Sequence, residues 1–220
     1  LATGTEVIGV DQPLTPGKIR DSNSYMLAAK VREAGGEPVL LGQVPDKLAD
    51  IEARLKQAGD VDLYITTGGA SVGDYDLMEQ LFERLSIQAL FKRVAIKPGM
   101  PVLAGSWQQK MLIALSGNPA AAGVSFEVLV RPLVRKMAGA KVIDRIRAEA
   151  LLTQEIVKAG PVRRFVWAKG EYHDGRLMAS PLMLQRNGML SGLLAANMLI
   201  DIPANHEPLA AGTNVEVLLL

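Results

Sequence analysis

Leu63-Tyr64-Ile65-Thr66-Thr67-Gly68-Gly69-Ala70-Ser71-Val72-Gly73-Asp74-Tyr75-Asp76 sets an apolar β-type run against a glycine-rich loop. A helical pattern carrying Leu77, Leu81, Phe82 and Leu85 follows at once. A strand that feeds a helix through such a loop belongs to an open α/β sheet, where ligands bind beyond the carboxyl ends of the strands. Glycines let backbone N–H groups approach an anion closely, and the helix N-terminus adds a partial positive charge, so the loop suits a phosphate or similar oxyanion. An ordinary βα turn needs one or two glycines. Gly68, Gly69 and Gly73, with the hydroxyls of Thr67 and Ser71 among them, exceed that need. The spacing is not that of the dinucleotide fingerprint. Asp74 and Asp76 close the loop, and a carboxylate beside bound phosphate is a usual way to hold magnesium. Asp74 serves equally well as a plain helix cap.

Outward from this loop the same alternation continues. Apolar β-type runs and helical patterns succeed one another from Val7 to Val134, which implies a parallel sheet covered on both faces. Asp21, Ser22 or Asn23 caps a helix with Leu27, Ala28, Val31 and Ala34 facing inward, and Gly35-Gly36 ends it before an expected strand at Pro38 to Leu41. Leu48, Ile51 and Leu55 predict the next helix, and Val61 to Thr66 the strand that enters the loop. Strands are then expected around Ala89 to Ile96, Val102 to Gly105 and Met111 to Leu115, with a hairpin at Trp107 to Lys110. Asn118-Pro119 is a cap followed by proline at the first helical position, and the helix should run towards Gly139 with a bend near Leu129 imposed by Pro132. From about Arg145 the texture changes to short β-type runs, Phe165 to Lys169, Leu177 to Ala179 and Val215 to Val217, separated by turn residues. The reading is therefore α/β, a three-layer mostly parallel sheet with helices on both faces, followed by a small all-β, barrel-like C-terminal module, with domains at 1–144 and 145–220.

Composition narrows the chemistry. The chain has 220 residues, 49% of them hydrophobic and 21% charged, with a formal net charge of +1, which gives no reason to expect nucleic-acid binding. Without cysteine there is no disulfide, thiol nucleophile or cysteine metal site, and the cytoplasm is the default compartment. His173 and His206 are the only histidines, too few for a multi-imidazole zinc site. No apolar run approaches the roughly 20 residues of a membrane span. Carboxylates, lysines and backbone amides must carry any catalysis.

Two further stretches lie after predicted strands. In Lys97-Pro98-Gly99-Met100-Pro101 the prolines hold the backbone and Lys97 offers a point charge to an oxyanion, although a bare lysine is more often solvated surface. Leu115-Ser116-Gly117-Asn118-Pro119 presents a glycine and free amides at a helix start, a pattern that a helix cap also explains. Three such stretches beyond strand ends make one pocket at one sheet edge the economical reading.

These residues resemble the molybdopterin molybdenumtransferase family, which includes the E domain of gephyrin. The resemblance rests on TGTE (Thr3 to Glu6), DSNSYM (Asp21 to Met26), VPD (Val44 to Asp46), TTGGASVGDYD (Thr66 to Asp76), KPGMP and SGNP, in order over Leu1 to Gly139, with the β module in the place of the family's last domain. It implies insertion of molybdate into adenylylated molybdopterin with release of AMP and a divalent cation, usually magnesium. By position, Asp46 and Asp76 would hold the cation, and together with Lys97 they would form the catalytic set. Ser71 and Lys97 would contact phosphate or molybdate, and Glu6 would border the pocket. Gly68, Gly69, Gly73, Asp74, Ser116, Gly117, Asn118 and Pro119 would complete the substrate site. As alternatives, Asp46 would cap the helix after Pro45, and Glu6 would be a solvated turn residue. The resemblance further implies a homodimer and contact with the molybdopterin adenylyltransferase.

The chain departs from the family pattern at Met100, where a second lysine is common, and at Ser116 and Ala121, where PGNPVS has proline and serine. Family members also carry two domains before the TGTE strand, so the chain reads as a C-terminal fragment expected to be poorly active alone. The competing readings are an ATP-using molybdopterin adenylyltransferase, which shares the TTGG-type loop, a non-enzymatic gephyrin-like scaffold, and a generic nucleotide- or sugar-phosphate-binding α/β domain.

Overall fold

The computed structural model describes residues 1–69, 75–158, 160–182 and 191–220. Its elements follow in the order β1 (Ala2–Thr3), β2 (Val7–Ile8), β3 (Ile19–Arg20), α1 (Asn23–Glu33), β4 (Gln43–Val44), α2 (Leu48–Lys56), β5 (Leu63–Thr67), α3 (Tyr75–Arg84), β6 (Gln88–Phe91) and β7 (Ile96–Lys97). Then come β8 (Leu103–Trp107), β9 (Lys110–Leu115), α4 (Pro119–Ser125), a π-helical stretch (Phe126–Val130), α5 (Arg131–Met137), and the strands β10 (Arg147–Leu152), β11 (Arg163–His173), β12 (Arg176–Pro181), β13 (Met198–Ile202) and β14 (Asn214–Leu219). They form two compact units, one of Leu1–Val94 with Gly99–Ile143, the other of Ala95–Pro98 with Asp144–Leu220.

The first unit holds a six-stranded sheet in the order β4-β1-β5-β9-β8-β6. Its four leading strands are parallel, while β8 pairs antiparallel with both β9 and β6. Both faces are buried, and strand alternation divides the side chains between them. On β9, Leu112 and Ala114 pack with Ile51, Leu55, Met78 and Leu81 of α2 and α3. Ile113 and Leu115 pack with Leu27, Ala122, Phe126 and Val130 of α1, α4 and the π stretch. The β8–β9 hairpin closes at Gln108 and Gln109, both at positive φ.

Two local expectations need correction. Pro38 to Leu41 forms no strand; the β residues are Gln43–Val44, whose sheet partner among the described residues is the two-residue β1, so the apolar residues before them have no ladder to join. The run from Ala89 to Ile96 is not one strand but two short ones, Gln88–Phe91 in the first unit and Ile96–Lys97 in the second. Around Leu129, where a bend was expected, the helix from Pro119 widens into the π stretch Phe126–Val130 and then resumes as α5, with Pro132 in its first turn.

In the second unit the strand order β12-β10-β14-β13-β11 closes through a β11–β12 pairing, making a small barrel to which β7 adds beside β11. Its core gathers Ala150, Leu152, Val166, Met198, Ile200 and Val217. β10 and β13 were not expected from the sequence. Asn197 bridges into the ladder, its side chain accepting from the Gly170 N–H at 2.6 Å and donating to the Gly170 carbonyl at 2.9 Å.

Asp201, 5% exposed, is paired with Arg147 at 2.8 Å and with Arg163, and Arg147 also pairs with Glu216. Burial pushes the Asp201 carboxyl up, but the hydrogen-bonding guanidiniums of Arg163 and Arg147 together outweigh it and hold the group below the usual carboxylate range. A carboxyl whose folded value is depressed stabilises fully above its unfolded value and loses that contribution as pH falls through the folded one. Denaturant titrations of the barrel between about pH 5 and pH 2 should therefore show an acid-induced loss of stability. Asp201→Asn should flatten it, and an unchanged acid slope in that variant would sink the assignment.

Candidate functional site

The parallel order β4-β1-β5-β9 brings four strand ends together. Val44 leads through Pro45 to Asp46, Thr3 to Gly4 and Glu6, Thr67 to Gly68 and Gly69, and Leu115 to Ser116 through Pro119. Registers of Thr3 with Val44, Ala2 with Thr67, and Thr67 with Leu115 set these ends level. The chain goes from β1 outward to β4 and then returns to the opposite side of β1 as β5, so strand order reverses between β1 and β5. That is the switch point at which open α/β sheets form a crevice.

Close backbone approach explains the glycines there. A Cβ on Gly68, whose φ is +92°, would lie 2.0 Å from the Thr3 carbonyl oxygen. A Cβ on Gly117 would stand 3.3 Å from the Gly68 Cα, so the loops after β5 and β9 lie against each other. Gly117 is exposed and leads into α4, where Asn118 accepts from the N–H groups of Ala120 at 3.0 Å and Ala121 at 3.5 Å. The Ser116 hydroxyl accepts from the Asn118 N–H at 3.2 Å. The cap therefore engages Asn118 and Ser116 in the free protein, and Pro119 supplies the first helical residue.

Asp46 is exposed and does not cap α2, which begins beyond Lys47. Its carboxylate accepts from the Thr5 N–H at 2.9 Å, tying the ends of β4 and β1 together. Glu6 is exposed in the turn after β1. Lys97 is exposed and belongs to the second unit, as register partner of Arg164 in β11. Ser71, Gly73 and Asp74 lie outside the described residues, as does the Asp76 side chain, although its backbone is part of α3. Among the described residues no group of three His, Cys, Asp or Glu side chains could hold a metal ion. The described residues do not by themselves compose a cation site.

Two residues outside the predicted site set stand at this edge, Thr3 and Asn23, the latter read from sequence only as a candidate helix cap. Both are buried, at 2% and 7% exposure, and Thr3 Oγ1 and Asn23 Oδ1 have no hydrogen-bond partner among the described residues, as is also true of Asp21 Oδ2 and Thr66 Oγ1. Asn23 Nδ2 donates to the Gly117 carbonyl at 2.8 Å across 94 positions of sequence.

A cavity of about 720 Å³ opens between the Val39–Leu41 stretch and β5, and its lining includes Leu27, Val31, Leu63 and Val134 together with Glu37, Asp60 and Asp62. None of the predicted site residues lines it.

Comparison with known proteins bears on the strand-end crevice. Residues 1–136 match the family described as the probable molybdopterin binding domain, and residues 149–220 match the MoeA C-terminal region, domain IV. The chain is 39% identical over 221 residues to a molybdopterin molybdenumtransferase of Bacillus subtilis, covering all of this chain and 51% of that protein. It is 34% identical to one of Staphylococcus epidermidis, with 100% and 52% covered. The chain thus spans about half the length of these curated relatives. The crystal structure of a molybdopterin biosynthesis MoeA protein from Pyrococcus horikosii superposes with a TM-score of 0.85 at 29% identity, covering 99% of this chain and 52% of that one. No helix among the described residues is long and apolar enough to cross a membrane.

Proposed function

Because the chain belongs to the molybdopterin molybdenumtransferase family, with a probable molybdopterin binding domain followed by a MoeA C-terminal region, we propose that its strand-end crevice binds molybdopterin for molybdenum cofactor biosynthesis. The observation that carries this reading is the meeting of the Gly68 and Gly117 loops at the switch point, with Thr3 and Asn23 packed against them. Backbone amides of the glycine loops would supply positive dipoles to a ligand phosphate.

The reaction proposed for the whole enzyme is insertion of molybdate into adenylylated molybdopterin with release of AMP. In it Ser71, Gly73 and Asp74 complete the anion cradle, and Glu6, Ser116 and Pro119 border it. Lys97 supplies a positive charge to an oxyanion. A magnesium ion, when bound, would polarise phosphate oxygens, with Asp46 and Asp76 as its expected ligands. A homodimer, a contact with the molybdopterin adenylyltransferase and a cytoplasmic location belong to the same proposal. The barrel unit and its match to the MoeA C-terminal region support this reading over an ATP-using adenylyltransferase.

The test is direct. The 220-residue chain should bind molybdopterin, measured by its fluorescence, yet release AMP from the adenylylated form with molybdate at least about a hundredfold more slowly than a full-length relative, as expected when groups orienting the reactants are missing. Absence of molybdopterin binding would defeat the proposal. AMP release at the full-length rate would defeat the expectation that the chain is poorly active alone.

A further inference from the structure

β1 lies between β4 and β5, parallel to both, and its ladder with β5 consists of the single register pair Ala2 with Thr67. The Leu1 amino group donates to the Ile65 carbonyl at 3.0 Å, and the Thr67 N–H donates to the Leu1 carbonyl at 3.0 Å. On the other flank the Ala2 N–H donates to the Gly42 carbonyl at 3.0 Å. Alternate residues of a strand face the same way. The edge of β5 that offers Ile65 and Thr67 to β1 therefore also offers the Ile65 N–H and both backbone polar groups of Leu63. No strand among the described residues pairs with Leu63 or Tyr64 on that side, since β5 has β9 as its other neighbour.

The cavity of about 720 Å³ occupies the gap so left, with Leu63 to Ile65 on one wall and Pro38 to Leu41 on the other. Helices from both faces of the sheet close it, Leu55 of α2 on one side and Leu27, Val31 and Val134 of α1 and α5 on the other. It is a gap in the sheet layer itself, walled by apolar side chains and edged by backbone. Glu37, Asp60 and Asp62 are exposed where the two walls begin, and Asp60 is already paired with Lys110 at 2.8 Å. A compact small molecule would fill the volume yet leave the strand edge unpaired. An added strand satisfies that edge, its main chain supplying affinity and its alternate side chains selectivity.

We propose that this gap is a strand-acceptor site, which takes an extended apolar peptide segment of about four residues, parallel to β5 and preceded by a basic residue. The direction is that of β1, whose ladder the added strand continues, and it brings the basic residue beside Glu37 and Asp62. The inference goes beyond the pterin reading and does not depend on it.

The 220-residue chain would be titrated with the amidated peptide Lys-Val-Ala-Val-Ala carrying an N-terminal dye, following fluorescence anisotropy. Two comparison peptides carry either prolines at the third and fourth positions or glutamate in place of lysine. One of two consecutive prolines must face β5, where it removes a ladder donor, so the parent should bind at least about tenfold more tightly than the proline peptide. At low salt it should bind about threefold more tightly than the glutamate peptide, and Glu37→Lys with Asp62→Lys, both at exposed positions, should reverse that preference. Sedimentation of the chain alone identifies a rival occupant. A dimer that binds no peptide would give the gap to a second copy, and a monomer that binds none would leave it closed to strands. Either result overturns the proposal, as do equal binding of the proline peptide and a charge preference that the double variant does not reverse.

Discussion

Gly68→Ala is expected to destabilise the first unit by about 3–5 kcal/mol and to abolish ligand binding at the crevice, combining a backbone clash with left-handed strain. The added Cβ would be 2.0 Å from the Thr3 carbonyl oxygen, a distance no side-chain rotation relieves because both atoms belong to backbone. A φ of +92° is open to glycine and strained for any other residue. Relief requires the ends of β1 and β5 to part, which opens the switch point itself. Trp107 is buried in the first unit and Trp167 in the second, so Trp167→Phe leaves a single tryptophan reporting on the first. Urea unfolding in that background measures the loss, and a change below about 1 kcal/mol would mean the close approach is not maintained in solution.

Glu127→Ala should cost a similar amount, about 3–5 kcal/mol, because it strips the counter-charge from a buried ion cluster. The Glu127 side chain is fully buried, 2.5 Å from Lys30 Nζ and 4.0 Å from Arg131 Nε, and these partners are only 17% and 11% exposed. The pair joins α1 to the π stretch, the two elements that lead to Asn23 and away from Pro119. Removing one charge leaves the others in a poorly hydrated setting, whereas removing the pair leaves an apolar contact. Glu127→Met with Lys30→Met should recover part of the loss, because the Arg131 guanidinium stays behind with the Ile143 carbonyl as an acceptor. The same tryptophan-reported urea unfolding measures both, and a double variant as unstable as Glu127→Ala would contradict the account.

The legible parts of this protein are those whose causes are local. The strand into Gly68, the hairpin at Gln108-Gln109 and the Asn118-Pro119 helix start each depend on a few adjacent residues. Strand status at Pro38 to Leu41 depended instead on whether a neighbour existed, and the two-residue β1 offers none there. The β run at Arg147–Leu152 escaped because its pairing with β14 joins segments about 70 positions apart. The Asn23–Gly117 bond was illegible for the same reason. An asparagine at a helix start reads as a cap, but Asp21 accepts from the Ser24 N–H, and Asn23 instead reaches a glycine 94 positions away. Asp46 was singled out by the resemblance alone, and its bond to the Thr5 N–H emerged only with the neighbouring strand in place.

The Asn23–Gly117 bond has a temporal consequence. Contacts closing nearly a hundred residues are among the last that a folding chain can make, since loop entropy must be met before they contribute. A nascent polypeptide released up to β5 already carries the glycine loop, yet nothing holds it against a second loop until Gly117 has emerged and β9 has been laid beside β5. Any ligand capture at this crevice is thereby reserved for chains that have completed the first unit's sheet.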